Sequence, residues 1–142
     1  MRALGLDLGA KRIGVAVSDL TGTIASPLTV VVRGRSRRHD HERIAAIARD
    51  EEAECVVVGM PLSLSGQDGP AARAARKEVA LLATVVGVPV ETYDERFTTV
   101  TAERALAESG VRGAARREVV DKVAAAVILQ SWLDARRAGD RP

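Results

Sequence analysis

Acidic residues at three places in this 142-residue chain interrupt patterns that otherwise predict burial, and chemistry would start there. Asp7 stands in "GLDLGAKRIGVAVSD", residues 5 to 19, where it alone breaks the run Ala3, Leu4, Gly5, Leu6 and Leu8. Asp94 and Glu95 end the last strand, which begins at Val88. Asp121 heads a stripe with Ala124, Ala125, Ile128 and Trp132, at the offsets of one helix face. An unpaired carboxylate among aliphatics is costly. Asp7 therefore either caps the turn formed by Gly9 to Lys11 or meets a cation at the strand's end. Asp121, read as lying in a helix's first turn, either serves the helix dipole or points into the protein.

The neighbours of these acids allow them to converge. Asp7 shares a strand face with Ala3, Gly5 and Gly9, all small, and the helix offers alanines at 124 to 126. Close packing of that helix on the sheet would bring Asp121 near Asp7. Carboxylates sharing a pocket repel and take up protons unless a divalent cation is present. Oxygen ligands without His or Cys suit Mg²⁺ or Mn²⁺ rather than zinc. His39 and His41 both fall in a basic loop and are expected at the solvent surface.

The elements that would position these groups follow from periodicity. Residues 3–8 and 12–19 read as strands, and "TIASPLTVVVR" (23–33) as a third, with short links that imply antiparallel hairpins. "RGRSRRHDH" (33–41) reads as a basic loop, and residues 40–52 as a helix through Ile44, Ile47 and Ala48. "CVVVGMP" has the unbroken apolar character of a central parallel strand, followed by the loop "LSLSGQDGP" and a helix over 70–86. A last strand spans 88–94. "ERFTTVTAERALAESG" then predicts a helix ended by Gly110, a basic loop over 110–117, and a final helix over 117–137. Three antiparallel strands followed by two more separated by helices predict an α/β domain, a five-stranded mixed sheet flanked by helices on both faces.

The length fits a single domain over 1–138 with a frayed tail at 139–142, and no linker-like composition suggests a second. Arg supplies 18 of the 21 basic residues, and the pI is about 9.1, a bias that suits planar anions such as phosphate. The lone Cys55, beside an apolar run, is expected as a buried thiol in a reducing compartment. With no signal segment and no apolar run near membrane length, a soluble cytoplasmic protein without a membrane partner is expected. One Trp, one Tyr and one Phe exclude an aromatic platform for base stacking, so any nucleic acid would be held by its backbone.

The motifs "GLDLGAKRIGVAVSD", "ASPLTVV", "VVVGMPLSLSGQDGP", "YDERFTT" and "DKVAAAVILQSWL", in this order over nearly the whole chain, resemble the bacterial YqgF/RuvX family of pre-ribosomal RNA nucleases or Holliday junction resolvases. The resemblance implies a ribonuclease-H-like fold whose acids hold divalent metal for phosphodiester cleavage, and it assigns Asp7, Glu95 and Asp121 to catalysis and metal binding. Strand alternation alone points Asp94 and Glu95 to opposite sides. The choice of Glu95 comes from the resemblance. Two departures stand out: Ser63 and Ser65 replace the usual Asn and Asp after the fourth strand, and Phe97 replaces the usual Leu after "DER".

The implied chemistry is in-line attack on phosphorus by a metal-activated water. Lys11, Arg12, Arg96 and Lys122, each near a motif acid, are candidates for the scissile phosphate, and Arg35, Arg37 and Arg38 for flanking backbone. The expected partner is ribosomal RNA precursor, cut in maturation of the small-subunit 5′ end, or branched DNA, by a monomer or a homodimer. Two rivals remain: a non-catalytic nucleic-acid-binding factor in ribosome maturation, and an actin-like phosphate-binding domain, which "DLGAKRIGVAV" also resembles. The second rival would need a duplicated domain and a second phosphate loop, for which this chain is too short.

Overall fold

The computed structural model describes residues 1–61, 68–97 and 114–139. Strands β1 (Ala3–Leu8), β2 (Arg12–Ser18) and β3 (Ala25–Val32) form an antiparallel meander. Helix α1 (Arg37–Asp50) leads to β4 (Cys55–Met60), and helix α2 (Pro70–Val86) to β5 (Val90–Asp94). A 3-10 turn, Glu95–Phe97, follows, and helix α3 spans Ala114–Gly139. The sheet order is β3-β2-β1-β4-β5, with β4 parallel to both β1 and β5.

Side chains alternating along β1 and β4 build a core on each face. Leu4, Leu6, Val56 and Val58 pack with Ile44, Ala48, Leu82 and Val86 of α1 and α2. Ala3, Cys55 and Val57 pack with Ala125, Leu129 and Leu133 of α3. Covered on both sides, β4 is buried at every residue, which explains its unbroken apolar sequence. The α3 face is made of small residues because the helix lies against it. A Cβ on Gly5 would come within 2.7 Å of Leu129 Cβ, and one on Gly14 within 2.1 Å of the Asp121 carbonyl oxygen.

The structure corrects several expected boundaries. Helix α1 begins at Arg37, because the Ser36 side chain accepts a hydrogen bond from the His39 amide and caps it there. Arg37, Arg38 and both histidines are thus helical, and only the segment before them is a loop. His41, expected at the surface, is 1% exposed, since it continues the inward stripe of Ile44, Ala45 and Ala48. Strand β3 starts at Ala25 because the amides of Thr23 and Ile24 donate to Asp19 Oδ1 in the preceding turn. Helix α3 starts at Ala114, so Asp121 lies about two turns inside it, beyond the reach of the terminal dipole. The remainder of the expected helix ending at Gly110, the start of the basic loop after it, Ser63, Ser65 and the last three residues lie outside the described residues.

Candidate functional site

Three segments that carry the candidate acids approach one row of the sheet. Asp7 is paired with Gly14 of β2, and the parallel register Leu6↔Val58, continued by one residue, sets Gly59 of β4 on its other side. The space left by the missing side chains is used. The Asp121 backbone sits over Gly14, and Glu95 Oε1 would lie 3.0 Å from a Cβ on Gly59. Asp7 is 7% exposed between them. The turn after Asp7 is closed by backbone: the Gly9 amide donates to the carbonyls of Asp7 and Arg12.

Asp7 and Glu95 line one cleft of about 790 Å³ at the carboxyl ends of β1, β4 and β5. The topological position is the usual ligand crevice of an open α/β sheet. The remaining walls are the turn at Gly9 and Ala10, the segment from Arg33 to Arg37, and the small side chains Ala71, Ala74 and Ala75 of α2. The cleft is thus lined by the acids Asp7, Asp40, Glu78 and Glu95 and by Arg33, Arg35 and Arg37.

Neighbouring Asp94 and Glu95 have different surroundings. Asp94 accepts hydrogen bonds from the Arg96 amide at 2.9 Å and from Arg96 Nε at 2.8 Å. Those bonds hold its carboxyl below the usual range. Glu95, one residue on, faces the cleft. Asp121 Oδ2 accepts from Arg12 Nε at 2.6 Å. Among the described residues, no three acidic, imidazole or thiol groups stand together as a ready-made cation cage.

The basic candidates separate in the same way. Arg35 and Arg37 line the cleft, whereas Arg38 is turned along α1 to Glu42 at 3.2 Å. Arg12 is engaged by Asp121 and Arg96 by Asp94; Lys11 is exposed at the tip of the β1–β2 turn, and Lys122 is half-buried beside Asp121.

Sequence reasoning missed Glu78. It is 4% exposed, lines the cleft and binds both Arg33 and His41. Its signal was the spacing Glu78, Leu82 and Val86, one buried face of α2 interrupted by a charge, as Asp7 interrupts β1.

The RuvX family model, described as Holliday junction resolvase, matches residues 1–135. A protein of Myxococcus xanthus (strain DK1622) named "Putative pre-16S rRNA nuclease" is 51% identical over 140 residues, which are 99% of this chain and 92% of that protein. Its namesake in Anaeromyxobacter sp. (strain Fw109-5) is 50% identical over 138 residues, covering 97% of this chain and all of that one. Among solved structures, T. thermophilus RuvC in complex with Holliday junction substrate aligns with a TM-score of 0.60 over 96% of each chain at 21% identity. That likeness concerns the fold. The chain has the ribonuclease-H-like α/β fold and belongs to the RuvX family.

Proposed function

We propose that this chain, a nuclease by its family, hydrolyses phosphodiesters with Mg²⁺ or Mn²⁺ held by Asp7, Glu95 and Asp121, and that its substrate is small-subunit ribosomal RNA precursor, trimmed at the 5′ end. The observation that carries the reading is the gathering of three carboxylate-bearing segments over the row Gly14, Asp7 and Gly59, two of them opening into a cleft that Arg35 and Arg37 also line. The donors fit the ion. Mg²⁺ takes oxygen ligands and keeps several waters, so one or two protein carboxylates suffice, and Asp7 and Glu95 offer them in one cleft. Asp121 would join on release from Arg12, which meanwhile balances its charge.

When bound, the cation would supply charge neutralisation at the phosphate and an acidified water for in-line attack. The chain's own residues do the rest. Arg35 and Arg37 hold the backbone flanking the cut, and Lys11 and Arg12 border the scissile phosphate from the β1–β2 turn. The rRNA substrate is supported by the name borne by relatives at 50 and 51% identity. The description of the family model favours a second reading, resolution of branched DNA.

A cleavage assay offering a 5′-extended small-subunit rRNA precursor and a four-way DNA junction separates the two. Cleavage of the precursor in Mg²⁺ or Mn²⁺, none in Ca²⁺, and none in excess EDTA is expected. Faster cutting of the junction would select the second reading, and full activity in EDTA would overturn the metal mechanism.

A further inference from the structure

Glu78, Arg33 and His41 form a buried polar cluster that the proposed chemistry does not use. Arg33, just past β3, donates through Nη1 and Nη2 to the two Glu78 oxygens at 2.8 and 2.9 Å, a bidentate fork. His41 Nε2 lies 2.8 Å from Glu78 Oε2. Burial pushes the Glu78 carboxyl up, but Arg33 and His41 outweigh it and hold it below the usual range. A third guanidinium donor, Arg33 Nε–H, reaches the Gly9 carbonyl at 2.8 Å, and the Arg33 amide donates to the Lys11 carbonyl at 3.0 Å. Asp40 Oδ1 accepts from the Gly34 amide at 2.9 Å on the other side.

Arg33 therefore links α2, through Glu78, to the turn that follows Asp7, through the Gly9 and Lys11 carbonyls. Gly9 is two residues from Asp7, and its amide bonds the Asp7 carbonyl, so the turn cannot shift without moving Asp7. The chain leaving Arg33 carries Arg35 and Arg37 on the same cleft. A bidentate pair makes a stiff joint because the planar fork fixes both position and angle, which a single ammonium does not.

We propose that Glu78, acting through Arg33, is a positioning residue that sets the β1–β2 turn, and with it Asp7, at a fixed place in the cleft that Arg35 and Arg37 also line. The proposal rests on the reading of Asp7 as a metal ligand. Outer partners of this kind tune a metal site by orienting the groups that hold the ion.

The decisive variant is Arg33→Lys, which keeps the charge opposite Glu78 but has no Nε–H for the Gly9 carbonyl. Hydrogen exchange on the metal-free protein should show the amides of Gly9 and residue 33 exchanging about tenfold faster, with β1 and β4 unchanged. Mn²⁺ binding should weaken by about 10-fold, and kcat should fall while KM for the nucleic acid holds. Arg2→Lys, which alters the Arg2–Glu51 pair (2.8 Å), should leave both amides as in wild type. Wild-type exchange at Gly9 in Arg33→Lys would overturn the proposal, and so would faster exchange throughout the sheet, which would make the cluster a general support. Should Arg33→Lys not fold, Glu78→Gln is read by the same two outcomes. If wild type binds no Mn²⁺, the metal reading fails while the exchange measurement still decides this one.

Discussion

At the scale of single residues, the question is what a buried carboxylate is for. Asp7 sits between two glycines; a Cβ on Gly14 would collide with the Asp121 backbone, and one on Gly59 would collide with Ile128 and crowd Glu95. A metal ligand and a structural cap respond differently to loss of charge. Asp7→Asn should lower cleavage by more than about 100-fold, beyond the 10- to 100-fold typical of outer partners. In EDTA it should melt at the same or a higher temperature than wild type, because apposed carboxylates repel without a cation. Calorimetry beside a single-turnover assay checks both, and a large drop in Tm would instead mark Asp7 as a cap of the turn.

Asp19 makes a second single-residue case, with a pH signature. Its carboxylate accepts from the Thr21 hydroxyl and from the amides of Thr23 and Ile24, and these bonds lower its pKa from 3.8 to about 2. A carboxyl depressed by folding contributes stability above its unfolded pKa and loses it as pH falls through the folded value. Acid titration of stability should therefore show a component between about pH 4 and 2 that disappears in Asp19→Asn, measured by urea unfolding at each pH.

At the scale of elements, the site depends on how closely α3 lies on the sheet. Ala125 and Ala126 on the helix pack with Ala3 and Ala16 on the strands, Gly5 lies under Ala125 and Leu129, and the contact at Gly14 is backbone against backbone. Neither partner can swing aside as a side chain could. Gly14→Ala should destabilise by about 1–3 kcal/mol, the usual cost of overpacking. Because the obstructed atom is the Asp121 carbonyl oxygen, activity should fall further than the stability loss explains. Urea unfolding gives the first quantity. Cleavage assayed at a temperature where the variant is fully folded gives the second, and a well-folded, fully active variant would show that α3 need not be held so close.

At the scale of the whole molecule, Arg35 and Arg37 bring positive charge to the cleft that Asp7 and Glu95 also line, which suits a polyanion. Binding should weaken steeply with salt, and each phosphate contact removed should flatten the log–log slope by about 0.7–0.9. Of the three arginines expected to hold backbone, Arg35 and Arg37 face the cleft and Arg38 faces Glu42. Replacing Arg35 and Arg37 by Ala should flatten the slope. Adding Arg38→Ala should change it little, and cleavage at saturating substrate should persist. An unchanged slope would move the phosphate contacts to the β1–β2 turn and Arg96.

By itself the sequence determined the order of the strands and of the helices among the described residues and the mixed sheet covered on both faces, and it singled out candidate acids, because periodicity is a local property of the chain. The unbroken apolar β4 and the charge inside β1 were legible for that reason. Which of Asp94 and Glu95 turns to the cleft was not, since a 3-10 turn begins at Glu95 and ends the strand's alternation. The pairing of Arg12 with Asp121 and the Arg33–Glu78–His41 cluster were decided only in three dimensions. Each joins residues far apart in the chain whose partners no local pattern names. Glu78 and His41 did leave a trace, a charge and an imidazole on apolar helix faces, but such a trace says only that a partner exists. Tertiary structure supplies it, because a buried charge is stable only where the fold brings its counter-charge within hydrogen-bonding distance.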